Sequence, residues 1–189
     1  ETDIEMSYDN MGVLNGHSVG RLLKETVRRA MVTIQNERTV FEATTKMGYG
    51  GTMDDVFTSA DTKAQAIYLR AFEECFPGYR VIGEEGELQV PSRNGYYFTV
   101  DPLDGTKAFV RRQSHGVATM VALVHGKAVV SAYIGDINTE ELYGYRPGSN
   151  KVFRISKLDT FEQMGPGKKL ASLKEGQCML REPLEKHTR

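Results

Sequence analysis

Residues 117–134 read VATMVALVHGKAVVSAYI: two apolar, β-branched-rich runs, Val117–Val124 and Ala128–Ile134, with His125-Gly126 between them. Two such runs separated by a short glycine-containing break predict a β-hairpin. Runs of the same kind lie on either side, Tyr79–Ile82 and Tyr96–Val100 before the hairpin, Leu142–Tyr145 and a weaker Val152–Ile155 after it. Adjacent strands joined by short turns favour an antiparallel sheet.

Upstream of Tyr79 the pattern changes to helical spacing. From Val19, the apolar residues Leu22, Leu23, Val27, Ala30, Met31 and Ile34 form one face, and Lys24, Arg28 and Arg29 lie on the other, which predicts a long amphipathic helix. A second helix carries Ala64, Ile67, Tyr68, Ala71, Phe72 and Cys75 on its apolar face, with Asp61 read as its N-cap and Pro77-Gly78 as its stop. Between the two, Gly48–Gly51 and the polar residues around Asp54 and Asp55 read as an exposed loop or hairpin. Helices first and strands afterwards predict an α+β protein, two long helices packed on a mainly antiparallel sheet. The stretch from Asp159 onward, with Gly165-Pro166-Gly167 and Lys168-Lys169, reads as a linker followed by one further element.

The chain has 189 residues, enough for a real core at about 150 residues per domain. Its net charge of −1 removes the sequence-independent attraction to nucleic acid polymers and anionic lipid that a basic chain would have. Two cysteines, Cys75 and Cys178, make neither a disulfide framework nor a zinc-ligand pattern and are read as reduced thiols. No apolar run approaches the roughly 20 residues that span a bilayer, and Glu1, Asp3 and Glu5 are acidic where a signal peptide is basic. The expectation is a cytoplasmic protein that engages no membrane.

The chemistry-bearing residues follow two of the strand runs. Gly83-Glu84-Glu85-Gly86 comes after Tyr79–Ile82, and Asp101-Pro102-Leu103-Asp104-Gly105-Thr106 after Tyr96–Val100. Carboxylates placed where buried strands emerge can converge, and converging carboxylates are unfavourable unless a cation balances them. Hard oxygen ligands select Mg²⁺, Mn²⁺ or Ca²⁺. A helix starting at Gly105 would offer backbone N–H groups to an anion, and Thr106 adds a hydroxyl. That combination reads as a phosphate seat beside a metal site, although each motif alone also fits a solvated acidic turn.

Asp61 at a helix start, Gly83-Glu84-Glu85, and Asp101-Pro102-Leu103-Asp104-Gly105-Thr106, in this order, resemble the inositol monophosphatase superfamily over roughly residues 17 to 156. The resemblance implies a layered αβαβα sugar-phosphatase-like fold and a Mg²⁺-dependent, lithium-sensitive phosphomonoesterase, with two or three Mg²⁺ ions per site in a complete protein. The expected substrate is a small phosphorylated metabolite, inositol phosphate-like or a 3′-phosphonucleotide, and a homodimer is among the expected assemblies. By the same resemblance Glu84, Asp101, the Leu103 carbonyl and Asp104 are metal ligands, and Gly105 and Thr106 hold the substrate phosphate. Asp61, Glu84 and Thr106 are catalytic, Asp61 hydrogen-bonding Thr106 so that the pair orients and helps deprotonate the attacking water. Hydrolysis of a phosphate monoester needs such a water and charge neutralisation at the phosphoryl and leaving oxygens.

The family draws another metal ligand from an Asp in a Trp-Asp-x-Ala stretch, and this chain has no Trp. Asp136, Asp159, Glu175, Glu182 and Glu185 are present, but none lies in a comparable motif. The chain is therefore expected to be a truncated family member. Residues 1–158 would form the metal- and phosphate-binding αβ half, 159–189 the linker and the start of a truncated second half. Such a chain is expected to have little or no activity by itself and to leave one apolar sheet face that aggregates, dimerises or is covered by residues 159–189.

Other readings fit less well. Leu103-Asp104-Gly105-Thr106 overlaps the Asp-x-Asp-Gly-Thr signature of haloacid-dehalogenase-type phosphatases, but the nucleophile position is Pro102, which has no nucleophilic side chain. An EF-hand fails because Leu103 and Gly105 stand where side-chain oxygens are needed. A noncatalytic relative that binds phosphorylated metabolites or a protein partner remains the alternative. His17, His115, His125 and His187 have no paired spacing and read as surface or turn residues. Arg111-Arg112 could meet a second anionic group or simply be a solvated pair.

Overall fold

A computed structural model describes residues 6–8, 12–14, 16–40, 43–46, 55–84, 86–88, 95–167 and 172. Strands β1 (Met6–Tyr8) and β2 (Gly12–Leu14) form an antiparallel pair ahead of helix α1 (Gly16–Glu37). Strands β3 (Ala43–Lys46) and β4 (Asp55–Thr58) pair antiparallel before helix α2 (Ser59–Cys75). The glycine-rich stretch read as a loop or hairpin, Gly48–Gly51, lies outside the described residues. Then come β5 (Arg80–Gly83), β6 (Gly86–Leu88), β7 (Tyr96–Asp104), the short α3 (Thr106–Val110), β8 (Ala118–His125), β9 (Ala128–Asp136), β10 (Leu142–Tyr145), β11 (Val152–Ile155) and β12 (Phe161–Met164).

Eight strands make one sheet in the order β12-β11-β10-β9-β8-β7-β5-β6. The β8–β9 hairpin turns at Gly126, whose φ of 60° lies in the left-handed region where glycine is least strained. Every neighbouring pair is antiparallel except β5 and β7. The expectation of a mainly antiparallel sheet holds, with this one parallel pair as the exception to short-turn pairing. Because β6 pairs with the outer edge of β5, the chain returns to the inner edge in the direction of β5.

Helices α1 and α2 pack on one face. Val19, Leu23, Val27, Ala30, Met31 and Ile34 from α1 and Ala64, Tyr68 and Phe72 from α2 are buried with Phe98, Val121, Leu123 and Tyr133 of the sheet. The Phe72 and Phe98 rings stack with centroids 4.0 Å apart and planes within 7°, and Phe76 and Tyr79 close round them. Phe72→Ala is expected to cost about 3–4 kcal/mol, the usual result of emptying a well-packed aromatic site. Urea unfolding checks this, and a loss under about 1 kcal/mol would contradict the packing.

Alternate residues turn to the opposite face, where Met120, Ala122, Ala132 and Ile134 line a hollow of about 440 Å³ with Ile82. Ile134 is 42% exposed there. Among the described residues this matches the expected apolar face, and the linker reading of the chain after Asp159 needs a local correction. Phe161–Met164 pair with β11 and prolong the sheet at its edge, so this segment adds a strand rather than covering the face. Backbone pairing needs no apolar pattern, and all four residues of β12 are exposed.

Candidate active site

The parallel register Gly83↔Val100 brings the ends of β5 and β7 side by side, so that Glu84 and Asp101 emerge next to each other. Gly83 lies directly against the Gln65 amide from α2, which a side chain at that position would have to displace. In β7, Asp101 pairs with Met120 and Asp104 with Ala118, so three steps on one strand oppose two on the other. Pro102 lies in this bulge, where its missing N–H costs no ladder bond. Leu103 is buried in the core, and Asp104 returns to the surface.

Asp101 and Glu84 face each other within hydrogen-bond reach, and Asp104 adds its field. Burial first, then the charges of Glu84 and Asp104, push the Asp101 carboxyl up to about 7, against a hydrogen bond from the Leu103 N–H. Asp101 Oδ1 is buried with no hydrogen-bond partner among the described residues. The Asp101 charge acts on the buried Tyr68 hydroxyl, which is 2.8 Å from Thr119 Oγ1. Among the described residues no three His, Cys, Asp or Glu side chains close around one point. Glu84 and Asp101 are paired, and Asp104 stands off in solvent; Glu85 is outside the described residues.

Asp61 is buried at the start of α2, 2% exposed, but it is not the helix cap. Thr58 is the N-cap and Asp61 is the third helical residue of a capping box. The Asp61 carboxylate accepts from the Thr58 N–H at 2.8 Å and from the Thr58 hydroxyl at 2.6 Å. The Thr58-x-x-Asp61 spacing carried this signal, since a capping box places its acid three residues after the cap. Thr58 is the residue that sequence reasoning missed. On its other side, Asp61 Oδ1 is 3.2 Å from Thr106 Oγ1, the contact that the resemblance implies, and Thr106 Oγ1 is also 3.0 Å from the Leu103 carbonyl oxygen. Burial raises the Asp61 carboxyl above the usual range, while bonds from Thr58 and Thr106 work against it.

Gly105 caps α3 with φ +81° and no side-chain bond. The helix is five residues long, so its dipole is small and any anion seat depends on its amides and the Thr106 hydroxyl. Beyond it Arg111 and Arg112 are exposed. Arg38, from the turn after α1, donates to the Gln113 carbonyl at 2.9 Å and to Asn138 Oδ1 at 2.8 Å, which ties that loop to α1.

Of the later acids, Asp136 accepts from the Asn138 and Thr139 N–H groups, and Asp159 pairs with Lys24 and Arg28. Asp136 thus serves a local turn and Asp159 ties the chain before β12 to α1; Glu175, Glu182 and Glu185 lie outside the described residues. His125 stacks on Tyr96, 4.1 Å between centroids, at the start of β7, far from the carboxylates at its end. Cys75 is a free thiol, while Cys178 and His187 are outside the described residues.

Residues 17–169 match the inositol monophosphatase family. The chain is 29% identical over 106 residues to the inositol-1-monophosphatase of Bacillus subtilis, a match covering 56% of this chain and 40% of that protein. It is 31% identical over 105 residues to the Nus factor SuhB of Vibrio cholerae, covering 56% and 39%. The fold is similar to that of the extragenic suppressor protein suhB from Bartonella henselae, with TM-score 0.62, 23% identity, and 71% of this chain and 50% of that one covered. An IMPase/NADP phosphatase complexed with Mg²⁺ and phosphate gives TM-score 0.62 at 18% identity, covering 73% and 51%. The chain thus spans about two fifths of these curated relatives and half of the solved chains.

Proposed function

Since the chain belongs to the inositol monophosphatase family, we propose that it carries the catalytic carboxylates of a phosphoric monoester hydrolase acting on a small phosphate monoester, with Mg²⁺ as cofactor and water as nucleophile. An inositol phosphate-like compound or a 3′-phosphonucleotide is the substrate class. The observation that carries this reading is the Glu84–Asp101 pair: the buried Asp101 Oδ1 has no partner among the described residues, and burial, then the like charges of Glu84 and Asp104, push the Asp101 carboxyl to about 7.

A divalent cation fits that donor set, because it would satisfy the orphaned oxygen and relieve the repulsion at once. Glu84, Asp101, the Leu103 carbonyl and Asp104 would hold it. Bound there, Mg²⁺ supplies an acidified water and neutralises charge on the phosphoryl and leaving oxygens. Asp61, whose carboxyl burial raises above the usual range, is placed to accept a proton by way of the Thr106 hydroxyl that donates to it. Gly105 and Thr106 would seat the phosphate at the start of α3.

The test is phosphate release from inositol 1-phosphate, 3′-phosphoadenosine 5′-phosphate and fructose 1,6-bisphosphate, with and without Mg²⁺, for this chain and for a version extended to the family's length. Asp61→Asn and Thr106→Ala are expected to lower turnover by about a hundredfold or more while calorimetric Mg²⁺ affinity is unchanged, and Thr106→Ser to restore much of it. Undiminished turnover in both variants would overturn the assignment. Silence across the panel with metal binding intact would favour the second reading, a binding role with a protein partner, which the Vibrio cholerae relative named Nus factor SuhB keeps in view. No described helix is long and apolar enough to cross a membrane, which fits an encounter with dissolved substrate.

A further inference from the structure

One oxygen of the Asp61 carboxylate is fully engaged by a single neighbour. Thr58 gives Oδ2 two donors, its backbone N–H at 2.8 Å and its hydroxyl at 2.6 Å, and a carboxylate oxygen has about two lone pairs to offer. The direction of the hydroxyl bond is fixed as well. Thr58 Oγ1 accepts from the Ala60 N–H at 3.2 Å, so its proton goes to Oδ2. Thr58 is 0% and Asp61 2% exposed, and water does not compete for these bonds. The other oxygen, Oδ1, is the one turned to Thr106 Oγ1, 3.2 Å away.

Two elements hold Thr58 in this position. It is the last residue of β4, paired with Ala43, and the N-cap of α2. The next residue ties the same helix start to α1 by a separate link: Ser59 donates to Glu37 Oε2 at 3.1 Å, and Glu37 takes Lys63 on its other oxygen. Burial raises the Asp61 carboxyl, and the hydroxyl and N–H of Thr58 lead the bonds that hold it down, ahead of Thr106 and the Asp61 N–H. Among the described residues no charged side chain shifts it; Lys63 on the same helix and Glu37 of α1 pair with each other.

Resting on the phosphatase reading above, we infer that Thr58 is a positioning residue for the proton transfer: by occupying Oδ2 it makes Oδ1 the oxygen that takes the proton from Thr106. The transfer balances within the pair. The proton of the attacking water passes to Thr106 Oγ1 as the Thr106 proton passes to Asp61 Oδ1, and the hydroxide so formed attacks phosphorus. Without the Thr58 hydroxyl, Oδ2 becomes a competing acceptor and the carboxylate loses the bond that fixes its rotation. Serine keeps the donor. Valine keeps the shape and loses it.

In the full chain, isotope-labelled at the aspartate carboxyls and held in EDTA, NMR follows the Asp61 signal with pH, assigned by its loss in Asp61→Asn. Thr58→Val is expected to raise its midpoint by about one pH unit, the worth of one charge-assisted bond, and Thr58→Ser to restore it. Ser59→Ala, which cuts the Glu37 link and loosens the same helix start, should leave it in place. In the unaltered chain the Thr58 hydroxyl proton, too buried to exchange quickly, should shift with the Asp61 midpoint, a reading that needs no variant to fold. In the version extended to the family's length, Thr58→Val should lower kcat about tenfold with KM unchanged, and Thr58→Ser should keep most of the turnover. An Asp61 midpoint unmoved by Thr58→Val, a hydroxyl proton blind to the Asp61 titration, or full kcat in Thr58→Val overturns the role given to Thr58. Silence of the unaltered extended version overturns the phosphatase reading itself, and this role with it, wherever Asp61 titrates.

Discussion

Asp101→Asn is expected to make the metal-free chain more stable at pH 8 and to abolish its stabilisation by Mg²⁺. The Asp101 carboxyl is raised to about 7 in the folded chain, by burial and then by Glu84 and Asp104, against about 3.9 when unfolded. Below about pH 4 both states are protonated and the folded state bears no penalty. Between about 4 and 7 the unfolded chain has lost its proton while the folded chain keeps one, so stability falls as pH rises. Above 7 the full penalty stands, roughly 2–3 kcal/mol once solvent screening of this half-buried site is discounted. Asparagine removes the charge and keeps an oxygen for the Leu103 N–H. Urea unfolding at pH 5, 6.5 and 8, in EDTA or in Mg²⁺, measures both effects. A flat pH profile for the unaltered chain in EDTA, with Mg²⁺ stabilising both proteins equally, would remove Asp101 from the metal site.

Much of this arrangement was legible in local sequence, and what was not depended on distant pairing. The β8–β9 hairpin and the apolar faces of α1 and α2 are written in residues a few positions apart, and all three formed. Glu84, Asp101 and Asp104 were readable as strand-end acids. Their approach, however, depends on the parallel β5–β7 register, which no local pattern encodes and which short-turn reasoning would exclude. Asp61 was placed on the right helix end but in the wrong position, because Asp is favoured both as an N-cap and in the first turn. The Thr58 capping box settles the choice. Strand β12 was read as linker because its neighbours Gly165-Pro166-Gly167 dominate local composition, whereas its pairing is to the exposed edge of β11. The division of the chain at 158 remains our proposal for where the catalytic half ends.

Gly105→Ala is expected to destabilise the chain by about 3 kcal/mol or more, and to remove the phosphate release proposed for the version extended to the family's length where Gly116→Ala spares it. Both glycines have positive φ, 81° and 75°, so each alanine takes on a left-handed backbone strain of roughly 1–2 kcal/mol. The surroundings differ. A Cβ at Gly116 meets nothing within 4 Å, whereas at Gly105 it would overlap the Gly116 carbonyl oxygen, a backbone atom with no rotamer to yield. Relief requires β7 and the 111–116 loop to separate. Gly105 immediately precedes Thr106, whose hydroxyl lies 3.2 Å from Asp61, so the same displacement breaks the pair we propose handles the water's proton. Urea unfolding separates strain from overlap, because the difference between the two variants reads the overlap alone. If the two alanines cost the same, the β7–α3 turn does not press on Gly116, and the tight approach assigned to the phosphate seat is absent.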